Sequence, residues 1–220
     1  MSDKAPGRRA YDATRRRSQA ERSQHHVLDV AERLLLERGY AAMSIRDVAQ
    51  TAGVSMPGVY ATIGNKRDLL RRLLDVRLAG DEAPVPLAER DWFREMLTAP
   101  QARRVLELHA ASVRAILERA GPLLGVLRQG AGGDAGLAED YRLDASRRYQ
   151  TQRRVAVELA RRGVLRDGLM ARQAADIIWT LSSPDAYELL VVQRSWTPKA
   201  FEQWLADTLA AAVLHPDHTS

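Results

Sequence analysis

Apolar positions recur at helical spacing along most of the chain, and the stripes start and stop at residues that cap helices. Val27, Leu28, Ala31, Leu34 and Leu35 form one stripe that Gly39 closes, which predicts a helix over 18–38. Ile45, Val48, Ala49 and Ala52 follow at i, i+3, i+4 and i+7 behind Ser44, an N-cap to which Asp47 can reach back, and Gly53 supplies a left-handed stop. Ser55 caps a second short helix whose first turn accepts Pro57, and Val59 and Ile63 face back toward the helix before it. From Lys66, the run Leu69, Leu70, Leu73, Leu74 and Leu78 predicts a helix to Ala79, and GDEAPVP at 80–86 breaks the pattern.

Further along, the spacing predicts a short helix over 87–97 and a longer one over 101–119. Gly121-Pro122 is expected to end the longer one, and a short helix then reaches Gln129. GAGGD at 130–134 reads as a loop with Asp134 as N-cap, ahead of a long helix to Arg162 lined by Tyr141, Ala145, Tyr149, Ala156, Leu159 and Ala160. Ala174, Ile177, Ile178 and Leu181 mark a helix over 171–181. Ser183-Pro184 and Thr197-Pro198 then restart helices, the last bearing Phe201, Trp204, Leu205, Leu209 and Val213. No alternating strand pattern competes, so the expected fold class is all-α.

Residues 44–66, SIRDVAQTAGVSMPGVYATIGNK, read as helix, glycine turn and helix, at the size that places a helix in the major groove of DNA. Around them, VLDVAERLLLERGYAAMSIRDVAQTAGVSMPGVYATIGNKRDLL at 27–70, a fifth of the 220 residues, resembles the N-terminal domain of the TetR/AcrR family of transcriptional regulators. The likeness rests on the aliphatic helix ending in RGY, the S-I-R-D-V-A opening, the A-G-V-S turn, the Tyr of G-V-Y and the N-K that follows. It implies nine or so helices in two parts. A three-helix helix-turn-helix DNA-binding domain would occupy 18–66, and a C-terminal helical-bundle domain for ligand binding and dimerisation would occupy 67–214. A basic, disordered arm at 1–17 and a tail at 215–220 complete the expected division.

Charge supports the arm. Over residues 1–24 seven basic side chains oppose three acidic ones, whereas 25–70 balance, so most of the formal +5 lies just ahead of the helix-turn-helix. Such a segment can track phosphates or enter the minor groove, or simply solubilise. Cysteine is absent, which removes disulfides, thiolate metal sites and cysteine nucleophiles. No apolar run is long enough to span a bilayer and no signal-peptide pattern opens the chain, so the expected location is the cytoplasm, with no membrane partner. The five histidines, His25, His26, His109, His215 and His218, are scattered without ligand spacing. Neither a metal, a cofactor nor a catalytic constellation is expected, and the chain is not read as an enzyme.

By its match to the family pattern, Ser44 is expected to contact phosphate at a helix N-terminus, and Tyr60 is expected to do the same. Arg46 is the candidate for a guanine edge. Ser55, Met56 and Gly58 occupy the leading turn of the recognition helix, Thr62 lies on its outer face, and Lys66 is placed to grip the backbone. Ala61 and Thr62 stand where the family often has aromatic or imidazole side chains, and Ile63 where it often has Phe, so the operator sequence is this chain's own. The resemblance also implies a ligand pocket, with Trp92, Phe93, Met96, His109, Val113, Tyr149 and Trp179 as candidate lining, each set against ordinary core packing. For the dimer, helices over 171–194 and 198–214 are expected to pack on their symmetry mates through Ile178, Tyr187, Trp204, Leu205 and Leu209. The resulting expectation is a homodimeric repressor on a palindromic operator in double-stranded DNA, released by a small-molecule effector. Its rivals are an activator, an effector-independent regulator, and a helical-bundle enzyme or binding protein with a vestigial reader.

Overall fold

The structure, a computed structural model, describes residues 6–80 and 87–219. Residues 1–5 of the expected arm, 81–86 of the expected break and Ser220 lie outside them. The chain divides into two units at Leu73/Leu74, inside a helix and later than the boundary expected at Lys66.

The first unit holds α1 (Pro6–Ala42), α2 (Ile45–Ala52), α3 (Met56–Thr62) and the first half of α4 (Lys66–Ala79). α1 starts at Pro6, so the backbone is helical over 6–17, where an irregular arm is expected from the sequence. Pro6 sits where a missing N–H costs nothing, and the Ala and Arg residues of 8–17 favour helix. The regular part of α1 ends at Gly39 as expected: its φ of 74° and ψ of 169° kink the backbone before one last turn. Val27, Leu28, Ala31, Leu34 and Leu35 are buried with Met43, Ile45, Val48, Val59, Leu69 and Leu70, so the predicted stripes form one core.

The second unit contains α5 (Asp91–Thr98), α6 (Ala102–Ala131), α7 (Ala135–Arg161), α8 (Ala171–Leu181), α9 (Pro184–Tyr187) and α10 (Pro198–Val213). α6 packs on α7 and α10, and α7 packs on α8. The single helix expected over 87–97 is instead a 3₁₀ turn at Leu87–Glu89 and then α5, parted by Arg90 in an extended conformation. The larger correction concerns α6, which runs through Gly121-Pro122 without a break. Leu117, Ala120, Leu123, Leu124 and Leu127 continue one buried stripe across the proline, and that burial outweighs the hydrogen bond Pro122 cannot make. Gly121 also removes the Cβ that a following proline ring would crowd.

Arg162, at the end of α7, donates to the carbonyls of Leu97 and Ala99 and so satisfies the C-terminal end of α5. Glu158 orients it, and hydrogen bonds from Arg161 and Arg162 hold the Glu158 carboxyl down to about 2. α9 continues as a π-helical turn over Glu188–Gln193. The end of the chain is tied down by an isolated bridge between Leu165 and Leu214, and His215 N–H donates to the Val164 carbonyl at 2.9 Å. No helix among the described residues is long and apolar enough to cross a membrane.

Candidate nucleic-acid interface

Caps at successive helix starts shape the outward face of the first unit. Ser44 Oγ accepts from the Asp47 amide at 3.2 Å while Asp47 Oδ2 accepts from the Ser44 amide at 2.9 Å, a reciprocal capping box. The Ser44 hydrogen bonds, and then nearby Arg38 and Arg46, hold the Asp47 carboxyl below its usual range. Gly53, with φ of 67°, ends α2 as expected. Ser55 Oγ then accepts from the Gly58 amide at 3.1 Å and starts α3.

These caps bring Ser44, Arg46, Ser55, Tyr60 and Thr62 to the solvent on two consecutive helices, with Met56 and Gly58 half-buried between them. Tyr60 is 49 % exposed, an open phenol rather than a core ring. Thr62 differs from a free polar contact, because its hydroxyl donates to the Gly58 carbonyl at 2.7 Å and keeps only acceptor lone pairs outward. At Gly58 a Cβ would stand 3.1 Å from Ser55 Oγ, so the reason for glycine is the neighbouring cap hydroxyl rather than packing against α2. Lys66 is half-buried and partly committed: its ammonium lies 4.3 Å above the Tyr40 ring centroid and donates to the Ala41 carbonyl at 3.4 Å. It ties the start of α4 to the end of α1.

Sequence reasoning left one device of this surface undescribed. Asn65 Oδ1 accepts from the amides of Arg67 and Asp68, and Asp68 Oδ2 accepts from the Asn65 amide at 3.0 Å, a second reciprocal cap that starts α4. Gly64 precedes it with φ of 99°, and a Cβ there would lie 2.6 Å from Asp68 Oδ2, so both conformation and space demand glycine. The signal was present as G-N-x-x-D.

In the second unit the expected pocket residues divide between the core and the surface. Phe93, Met96, His109 and Val113 are core: each is buried, and His109 Nε2 meets Ser182 Oγ at 3.1 Å. Burial lowers the His109 pKa to about 4, so it is a neutral packing histidine. Trp92 lies at the surface, edge-on to Phe93 at 5.8 Å. Tyr149 and Trp179 are half-buried and meet edge-on at 6.2 Å. A cleft of this unit is lined by other residues, among them Gly121 and Gly125 of α6, Asp144 and Arg148 of α7, and Asp185 near the start of α9.

The expected dimer residues need a similar correction. Ile178, Leu205 and Leu209 are fully buried within the chain, and Tyr187 packs edge-on against Phe201 at 5.0 Å. A side chain with no accessible surface in one subunit has none to offer a second. Trp204 alone of the five keeps partial exposure; it stands 6.3 Å from the exposed Trp196, and Leu189 and Val192, shortly before Trp196 in the chain, are exposed as well.

The first unit is thus an N-capped helix-turn-helix of the class that binds duplex DNA, carried ahead of an all-helical bundle. Residues 27–73 match the profile of the bacterial regulatory proteins of the tetR family. The HTH-type transcriptional regulator TtgR of Pseudomonas putida is 33 % identical over 61 residues. That match spans 28 % of this chain and only 29 % of the relative's length. Among solved structures, NalD of Pseudomonas aeruginosa, the secondary repressor of the MexAB-OprM multidrug efflux pump, is similar with a TM-score of 0.72 at 22 % identity, over 90 % of this chain and 99 % of that one. FadR of Bacillus subtilis, solved with stearoyl-CoA, gives a TM-score of 0.66 at 19 % identity over 84 % and 96 %. At those identities the likeness establishes the fold.

Proposed function

We propose that this chain is a homodimeric transcriptional repressor that binds a palindromic operator and leaves it when a small molecule occupies the second unit. The observation that carries the reading is the face of α2 and α3: capped helix starts with exposed Ser44, Arg46, Ser55 and Tyr60 around a half-buried Gly58. Ser44 and Tyr60 take phosphates, Lys66 adds its charge, and Arg46 reads a base edge. Met56 and Thr62 offer small contacts rather than a dense hydrogen-bond code, so groove shape carries more of the specificity.

Dimerisation is assigned to the exposed apolar strip Leu189, Val192 and Trp196 with Trp204, which would otherwise face water. A two-fold pair sets two α3 helices about one DNA turn apart, roughly 34–36 Å, or somewhat more. The repressor role is supported by NalD, and a small-molecule effector by the stearoyl-CoA bound to FadR. The effector acts by population shift, favouring a conformer whose two readers no longer match the spacing of the grooves. Linkage then requires that DNA weaken the effector by the same factor. The chain works by binding, in the cytoplasm with its DNA.

A gel shift on the DNA upstream of its own coding sequence tests the reading. If a dimer neutralises about 6–10 phosphates, affinity falls about 10³–10⁵-fold between 50 and 200 mM salt. A chain that stays monomeric at micromolar concentration and retards no fragment at low salt removes the proposal. Target transcription rises in a deletion strain for a repressor and falls for an activator.

A further inference from the structure

Helical glycines and a half-buried arginine line the same cleft of the second unit. Gly121 and Gly125, one turn apart on α6, look across it toward the middle of α7 and the start of α9. The space is about 30 Å³, room for a water or two. Glycine inside a helix is destabilising relative to alanine, yet a Cβ at either position would meet nothing within 4 Å. At 121 the following proline supplies a local reason. At 125 neither backbone angle nor packing does, and what the glycine leaves is room.

Arg148 of α7 reaches this cleft with its guanidinium 5.1 Å from the Trp179 ring centroid. Its Nε and Nη1 are buried without a hydrogen-bond partner. Gln152 Oε1, one turn on, and the Trp179 indole N–H are in the same condition, and among the described residues these three side chains alone are. A polar atom left buried and unpaired is costly, and here the donors of Arg148 and Trp179 and the acceptor Gln152 Oε1 are all left so. Three acids line the cleft, Asp144, Asp185 and Glu188, and none of them accepts a hydrogen bond from Arg148 Nε or Nη1. Asp185 pairs with Arg128. Asp144 lies one turn before Arg148, close enough for their charges to interact but not hydrogen-bonded to it. Burial pushes the Asp144 carboxyl up and the Arg148 guanidinium down, so neither charge fully compensates the other.

We propose that the cleft receives the carboxylate of a small organic acid, its oxygens accepting from the free N–H groups of Arg148 and its apolar body resting against Leu124 and Ala145 in the space that Gly125 leaves. This names the chemical class of the effector, and it rests on the effector reading above only for its consequence at DNA. The cleft must widen around the apolar body, which gives acid binding a route into the packing of α6 against α7 and α9.

Calorimetry on the full chain with octanoate and 4-methylbenzoate, each beside its primary amide, tests this. The acids bind, and the neutral amides bind at least about tenfold more weakly, as befits a charge-assisted contact. Arg148→Met abolishes the preference while leaving the unliganded melting temperature unchanged or raised, because it removes unpaired buried donors. Gly125→Val fills the space and abolishes acid binding without loss of helicity. Acids that give no heat, amides bound as tightly as acids, a preference that survives Arg148→Met, or tighter binding of octylammonium would each overturn the inference. The same preparations in a gel shift separate the two proposals: retardation without acid binding removes only this one, and acid binding without retardation removes only the regulator.

Discussion

The two short helices of the DNA-reading unit, α2 and α3, are held by their ends, and the long α6 of the larger unit by its side. α2 and α3 are 8 and 7 residues long, well below the length at which a helix persists unaided. They must also keep one face free, so little packing is available to them. Ser44 with Asp47, Ser55, and Asn65 with Asp68 supply what packing cannot. In the larger unit α6 has 30 residues and no side-chain cap bond, and it tolerates an internal proline. Its buried stripe does the holding. Local rules therefore bind tightly at α2 and α3 and loosely along α6.

That contrast makes opposite predictions for two substitutions. Gly64→Val forces a β-branched residue into φ of 99° with its Cβ 2.6 Å from Asp68 Oδ2, which should destabilise the reader by about 3 kcal/mol. Pro122→Ala restores a donor for the Glu118 carbonyl and should stabilise the larger unit by about 1–3 kcal/mol. The four tryptophans, Trp92, Trp179, Trp196 and Trp204, all belong to the larger unit, so their fluorescence reports it alone while far-ultraviolet dichroism reports both. In urea, Gly64→Val should shift the dichroism and leave the fluorescence midpoint, whereas Pro122→Ala should raise that midpoint. A stabilised Gly64→Val or a destabilised Pro122→Ala would erase the distinction.

The same contrast governs what could be read from residues alone. Ser44 with Asp47, Gly53 and Ser55 were legible because each cap closes within three or four positions of itself. Gly121-Pro122 was misread as a stop, since the Leu117–Leu127 stripe that overrides it depends on partners in α7 and α10. Ile178, Leu205 and Leu209 have the right periodicity for an interface, but a stripe facing its own core and one facing a second subunit have identical spacing. The bond between His109 and Ser182 joins residues 73 positions apart, and the orphaned atoms of Arg148 and Trp179 come from two different helices. No local pattern announces either.

His109 extends the comparison to pH. Its pKa falls from 6.5 to about 4 on folding, so the unfolded chain takes up the proton first. The stability it contributes is complete above pH 6.5 and is lost as pH falls toward 4, at about 1.4 kcal/mol per unit, or about 2 kcal/mol between pH 7 and 5. Asp144, raised by burial, works in the opposite sense at the acidic end. Fluorescence-detected melting should decline over that window in the native chain and stay flatter in His109→Gln. An equal decline in both would mean that the buried ring is not the group being charged.

The smallest effect distinguishes the units most finely, because it uses the same residue in the same role. Ser55 and Ser183 each accept from a helical amide at 3.1 Å, Gly58 in the reader and Ala186 in the larger unit. The first bond is exposed, so water can replace the hydroxyl, and Ser55→Ala should cost about 0.5 kcal/mol of stability. The second is partly buried, and Ser183→Ala should cost about 1–1.5 kcal/mol because the amide is less easily solvated. DNA affinity should order them the other way, falling several-fold for Ser55→Ala, whose loss frays the leading turn of α3, and holding steady for Ser183→Ala. If both variants lost stability and affinity in the same proportion, the caps would be serving the fold alone, and the open face of α3 would owe nothing to how its first turn is held.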